Sequence, residues 1–273
     1  MLTDAHCHPA DLAGLFPDAE KQRRQLGVMC AASSTTAEEF ALCERLSHES
    51  RDEAAAPLLP CFAAHPQQIA YNKKTPHNEA HLPNISEQLA ALETLAAEGK
   101  IAAVGETGFD LYNTAYRETE KEQEALFEGH LKIALRHSLP LIMHVRRAMH
   151  KVFACSSALK QCRAVVFHSC PCTAGEGEAL LRRGINAFFS FGNAIVLNHR
   201  EAMRCCAVFP ASRLLTETDA PFQPFRGDQF SCYADLTRIL EAAAALRREA
   251  GTEGSCAKEL EGIVERNFRT VFL

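Results

Sequence analysis

Short apolar runs alternate along this chain with longer stretches of helical period. The runs are Leu2–His6, Val28–Ala32, Leu59–Ala63, Ile101–Glu106, Leu141–His144, Val165–His168, Ala187–Ser190 and Leu214–Glu217. Runs this short and this uniformly apolar read as strands covered on both faces. Between them, Ile85, Leu89, Leu92 and Ala96 fall on one helical face, with Asn84 and Glu87 placed as a capping box. Phe127, Leu131, Ala134 and Leu135 repeat that spacing after a charged turn, and Thr35 with Glu38 offers another helix start. Eight strand–helix pairs predict an α/β protein, a single (β/α)8 TIM barrel over residues 1–273. A doubly wound open sheet competes, but the first strand lacks the glycine-rich turn such folds use for phosphates. Two irregular segments are expected: a long loop over Gln67 to Pro83, and Pro221 to Phe230 after the eighth strand.

The composition, 47% hydrophobic and 23% charged, supports a large packed core and excludes disorder. No apolar run approaches the ~18 residues of a membrane span. The opening Met-Leu-Thr-Asp has no signal-peptide pattern, so a soluble cytoplasmic protein is expected. A net charge of −5 argues against a broad basic surface that holds nucleic acid, though not against a brief encounter with it. The twelve cysteines form no C-x-x-C pair and no regular framework, so they read as buried free thiols.

The chemistry is carried by position. His6 and His8 lie at the end of the first predicted strand, Glu106 at the end of the fourth, His144 the fifth, His168 the sixth, and Asp219 just past the eighth. In a barrel those ends open on one face, so residues remote in sequence meet in one pocket. Alternate residues of a strand point the same way, so both imidazoles of His6-Cys7-His8 can reach one ion. Taken singly, each has a bland reading: surface histidines, a solvated strand-end acid, hydrogen-bonded core imidazoles. Glu217, two residues before Asp219, reads equally as an acid that orients a ligand or as half of an interior salt bridge. Together, four histidines and two carboxylates suit one or two divalent ions (Mg, Mn or Zn), with one carboxylate shared.

Other chemistries find no support. There is no G-x-S-x-G. Gly99-Lys100 has Thr94 where a phosphate loop needs glycine. Gly175-Glu176-Gly177 has Leu180 where a dinucleotide site needs glycine. Cys170-Pro171-Cys172 is not the P-C-x-x-C of zinc deaminases.

Asp4 followed by His6-Cys7-His8 resembles the opening D-x-H-x-H of the TatD-type metal-dependent hydrolases, a branch of the amidohydrolase superfamily. Ala64-His65-Pro66 resembles the G-x-H-P segment of that family, and Ala103 to Asp110 its A-[IV]-G-E-x-G-L-D. Ile142 to Arg146, Val166 to His168, Glu217 to Pro221 and Asn267 to Phe272 are similar to its remaining segments, in order, over nearly the whole chain. The resemblance implies a TIM-type barrel. It places one ion on His6, His8, Glu106 and Asp219, and a second on Glu106, His144 and His168. His65 and Arg146 would bind substrate phosphate, and Asp219 and Glu106 would be catalytic. It further implies a deoxyribonuclease of 3′–5′ exonuclease type, cleaving DNA, a transient partner, by metal-activated water. The same centre acting on a non-nucleic-acid ester, lactone or amide is the alternative. No membrane and no stable protein partner are expected, and the chain is expected to be a monomer. Departures lie near the expected mouth: Arg147 replaces an aspartate, Ser-Cys-Pro-Cys follows His168, and no Asn-x-Pro follows Pro221.

Overall fold

A computed structural model describes residues 1–74 and 84–273. Eight strands form one parallel sheet in sequential order: β1 (Thr3–Cys7), β2 (Met29–Ser34), β3 (Leu58–Phe62), β4 (Ala103–Asp110), β5 (Leu141–Arg146), β6 (Val165–Phe167), β7 (Ala187–Phe191) and β8 (Leu214–Thr216). Helices separate the strands, and the sheet curls into a nearly closed barrel, the fold that the alternation predicts. Parallel strands sandwiched between a barrel interior and an outer ring of helices are buried on both faces, which is why they read as unbroken apolar runs. No helix among the described residues is long and apolar enough to cross a membrane.

The seam between β8 and β1 has a distinctive construction. Every other neighbouring pair shares a backbone ladder. Here the Thr216 hydroxyl donates to the Thr3 carbonyl at 2.8 Å, and the buried Asp4 carboxylate accepts both the N–H (3.0 Å) and hydroxyl (2.7 Å) of Thr218. Two backbone bonds complete it beyond the strand ends, Asp219 N–H to the His6 carbonyl and His8 N–H to the Ala220 carbonyl.

Ala5, Met29, Cys61, Ile142, Val166 and Leu215, from six of the strands, share one buried cluster with Phe268, Val271 and Phe272. The last three belong to the helix Ala257–Phe272, which packs where the strands begin. Asn267 on that helix donates to the carbonyls of Ala211 and Leu214, both at 2.8 Å. That end is thus packed shut, leaving the opposite end for chemistry. All twelve thiols are free, and only Cys256 is exposed.

Several local expectations shift. The fourth strand continues past Glu106 to Asp110, because Gly105 and Gly108 lie inside it rather than flanking it as loop. The expected loop from Gln67 contains a helix, Gln68–Lys74, whose Ile69 and Ala70 are buried; residues 75–83 of that expected loop lie outside the described residues. The cap of helix Ala37–Asp52 is Thr36 with Glu39, one residue later than the Thr35/Glu38 pair. Asn84 does cap helix Ile85–Ala97, but through the Ser86 N–H at 2.8 Å alone.

Candidate metal centre

The strands deliver six side chains to the open end. β1 carries His6 and releases His8; β4 carries Glu106 and β5 His144. His168 follows β6 directly, and Asp219 follows β8 after two residues. His6, His8, Glu106, His168 and Asp219 are buried, and His144 is partly so. All but the fully buried His6 line an open cavity of about 710 Å3, with His65 and Arg146 also on its walls.

Glu106 is the hub. Its Oε1 lies 2.6 Å from His144 Nδ1, 2.8 Å from His168 Nε2 and 3.2 Å from His65 Nε2. Its Oε2 lies 3.2 Å from His6 Nε2 and 3.6 Å from His8 Nε2. Asp219 Oδ1 closes the second group at 3.4 Å from His6 Nε2 and 3.5 Å from His8 Nε2. One carboxylate therefore faces two sets of imidazoles, one on each oxygen. The potential ligand atoms fall into three overlapping triplets: His6, Glu106 and His168; His6, His8 and Asp219; His65, Glu106 and His144.

The far side of each ring fixes what its near side offers. His144 Nε2 lies 3.0 Å from Asp110 Oδ2. Asp110 is fully buried, and burial alone would raise its pKa. Hydrogen bonds from His144, Gln67 and the Tyr112 N–H instead hold it below its ordinary value. Ionised carboxylates only accept, and against burial the two that face this ring, Asp110 and Glu106, raise the His144 pKa; Nε2 carries a proton to Asp110, and a cation between Nδ1 and Glu106 Oε1 would take the place of the inner proton. Two acceptors cannot rest 2.6 Å apart unless a proton or a cation lies between them. His6 meets Ser33 Oγ at 3.1 Å through Nδ1 and turns Nε2 inward. His168 Nδ1 has no hydrogen-bond partner; the nearest carboxylate oxygen is Glu217 Oε1 at 3.7 Å. Inward lone pairs on imidazoles whose outer nitrogens face oxygens are what a divalent cation takes as ligands, so the donor set fits such an ion.

His65 differs. Its Nδ1 accepts the Gln67 N–H at 3.2 Å. Burial pushes its pKa down, against the pull of Glu106. The neutral ring therefore carries its proton on Nε2 and presents a donor to the cavity rather than a lone pair.

The electrostatics follow the crowding. Burial alone would raise Glu106, but the surrounding imidazoles, His168 foremost, hold it well below the usual carboxylate range. Burial would lower His168, but Glu106 and then Glu217 drive it well above the usual imidazole value. His6, buried and beside His168, is pushed down.

The structure thus brings His6, His8, Glu106, His144, His168 and Asp219 together and sets His65 beside them as a donor. Arg146 stands at the rim, exposed, its guanidinium 3.7 Å above the Tyr112 ring. Asp219 reaches the cluster from a left-handed turn (φ 56°) rather than from the strand, and Gln223 Nε2 holds its Oδ2 at 2.6 Å. Both readings of Glu217 meet at His168: the buried carboxylate lies 3.7 Å from Nδ1 of that ring and, with Glu106, raises its pKa. Glu217 also accepts the Ser169 N–H at 2.6 Å. Sequence reasoning gave no role to Asp110, Ser33, Gln67 or Gln223. Of these only Asp110 left a signal: it lies four residues beyond Glu106, on the same strand face if the strand is allowed to continue.

The family model for the TatD related DNases matches residues 3–273. The metal-dependent hydrolase YjjV of Escherichia coli is 29% identical over 257 residues, covering 92% of each chain. The 3′-5′ ssDNA/RNA exonuclease TatD of Klebsiella pneumoniae is 30% identical over 191 residues, covering 67% of this chain and 69% of that one. The crystal structure of the E. coli YjjV protein superposes with a TM-score of 0.80 at 25% identity, covering 99% of this chain and 97% of that chain. With this match along its length and a cluster suited to a divalent metal at the barrel mouth, the chain belongs to the TatD family of metal-dependent hydrolases.

Proposed function

We propose that this chain is a deoxyribonuclease that shortens single-stranded DNA from its 3′ end. The observation that carries the reading is Glu106, one buried carboxylate presenting its two oxygens to two sets of imidazoles. Such an arrangement suits a pair of ions sharing a ligand, the clamp used on phosphodiesters. His6, His8, Glu106 and Asp219 would hold one ion, and Glu106, His144 and His168 a second; Mg, Mn and Zn are the candidates. Bound ions supply Lewis acidity and a water deprotonated near neutral pH. The direction of attack is supported by the name of the K. pneumoniae relative.

The remaining work falls to the protein's own groups. His65 Nε2–H and the Arg146 guanidinium donate to the non-bridging phosphate oxygens and fix the phosphorus over the cluster. Asp219 accepts the proton of the attacking water, while Gln223, donating to Oδ2, keeps the carboxylate oriented. DNA is a visitor here, in keeping with the net charge of −5.

The test is hydrolysis of end-labelled single-stranded DNA by metal-stripped protein given Mg2+, Mn2+ or Zn2+ in turn, with Glu106→Ala as control. The expected result is a ladder receding from the 3′ end that needs the metal and vanishes in the variant. No cleavage despite stoichiometric metal uptake overturns the nuclease reading and turns the search to other esters, lactones or amides.

A further inference from the structure

The rim of the cavity is electrically lopsided. In a ring of eight strands, the β4–β5 side stands opposite the β8–β1 side. On the β4–β5 side, Tyr112 projects from the turn after β4, 42% exposed. Arg146 lies over its ring at 3.7 Å and Arg147 at 4.6 Å. Arg147 Nη1 also donates to the Tyr112 carbonyl at 3.3 Å, and Arg117 Nη1 reaches the same carbonyl at 3.4 Å. All three arginines are exposed, and among the described residues none has a carboxylate within 4.0 Å. On the opposite side stand Asp11, after β1, and Phe222, after β8, 49% exposed and edge-on to His8 at 5.1 Å between ring centres; Glu39, on the helix after β2, extends the acidic rim from there.

We propose that Arg147, held on the Tyr112 ring beside Arg146, forms an anion subsite for the phosphate that flanks the one being cleaved, while Arg146 serves the scissile phosphate. The subsite takes an oligonucleotide strand running outward over the β4–β5 rim. This rests on the phosphodiester reading above and adds a second phosphate to it.

The physical case has three parts. Guanidiniums are designed by their geometry for bidentate phosphate binding, and these lack the internal acid that usually occupies an arginine. Stacking on the Tyr112 ring holds both forks in place, and Arg147 spends one Nη1–H on the Tyr112 carbonyl and keeps its other donors, so little side-chain freedom is lost when an anion arrives. Arg147 holds a left-handed backbone (φ 55°), a conformation non-glycine residues seldom adopt, and this turn sets it beside Arg146 at the end of β5. The opposite rim supplies direction. Asp11 and Glu39 repel a phosphate, while the exposed face of Phe222 offers a nucleobase a stacking surface. A strand bound across the mouth therefore places its polyanionic side on the arginines and its terminal base on Phe222.

The experiment compares kcat/KM for a single-stranded tetranucleotide with that for bis(p-nitrophenyl) phosphate, a diester without a flanking phosphate. Wild type, Arg147→Ala, Tyr112→Leu and Tyr112→Phe are assayed under the same metal. The ratio, tetranucleotide over small diester, is expected to fall about fivefold in Arg147→Ala through a higher KM for the tetranucleotide. The salt dependence of that KM should flatten in the same variant. Tyr112→Leu should lower the ratio in the same direction, whereas Tyr112→Phe, which keeps the ring, should retain it. A merely structural role would depress both substrates together and leave the ratio in place. A ratio in Arg147→Ala within twofold of wild type overturns the subsite while the phosphodiester reading stands. A wild type that cleaves neither substrate overturns both.

Discussion

Asp110 Oδ2 accepts the Nε2–H of His144 at 3.0 Å, which leaves Nδ1, on the Glu106 side, as the nitrogen that would take an ion. Orientation of this kind is worth about 10- to 100-fold in metal affinity where it has been removed from other sites. Asp110→Asn should lower affinity for a divalent ion by roughly tenfold, read by competition with a chromogenic chelator. Circular dichroism should be unchanged. An affinity equal to that of the wild type would mean that His144 needs no support from behind.

His65 and His144 both stand within hydrogen-bond distance of Glu106, yet their outer nitrogens face opposite partners: an N–H donor for His65, a carboxylate for His144. Removing the two should therefore have different effects. His144→Ala should lose metal affinity by about 100-fold or more, as a missing ligand does, and His65→Ala should stay within about threefold. Hydrolase activity should fall in both. Equal loss of metal binding in the two variants would make His65 a ligand and refute its assignment as a donor.

Much of this was legible beforehand, for a physical reason. Parallel strands buried on both faces leave apolar runs, and the polar residue that ends each run is conspicuous against them; His144 and His168 were found in that way. β4 resisted because its two glycines imitate a loop. In the structure they permit contact: a Cβ on Gly105 would stand 2.5 Å from Ile142 Cβ, and one on Gly108 2.3 Å from the His144 carbonyl oxygen. The close approach of β4 to β5 draws Glu106 up to His144, and only the register of the two strands reveals it. The same holds for Asp110, whose partner lies on the neighbouring strand. The Gln68–Lys74 helix went unread because its sequence is polar and short.

Gly108→Ala should accordingly be costly. Its φ of 130° is closed to other residues, and the obstacle is backbone rather than a flexible side chain. A loss of about 2–4 kcal/mol is expected, lowering the melting temperature by about 4–10 °C. A calorimetric midpoint within 2 °C of wild type, about 1 kcal/mol for a chain of this size, would show that β5 yields easily.

His130 gives a pH dependence independent of any metal. It is buried on helix Glu120–Arg136, paired with Thr107 Oγ1 at 2.6 Å, and accepts the Ala64 N–H through Nε2. Burial pushes its pKa down from 6.5 to about 3. The unfolded chain therefore binds a proton below about pH 6.5 that the folded chain refuses until about pH 3. Stability contributed by the neutral ring is full above pH 6.5 and is lost as pH falls through that window. The loss reaches about 3 kcal/mol at pH 4. Urea unfolding in chelator at pH 7, 5 and 4 should show a steeper decline for wild type than for His130→Gln. Parallel declines would assign the acid sensitivity to the carboxylates alone.

The seam between β8 and β1 has a consequence for the order in which the protein becomes able to work. His6 and His8 are made on the first strand of the barrel, and Asp219 follows only after all eight strands have been made. The bonds that bring them together, Asp219 to the His6 carbonyl and His8 to the Ala220 carbonyl, are also the stitches that close the cylinder. A nascent or truncated chain that stops short of this junction has its early histidines but no acid opposite them. Assembly of the centre thus reports that the cylinder has shut, and a hydrolase built this way stays inert until both sides of that junction have been made.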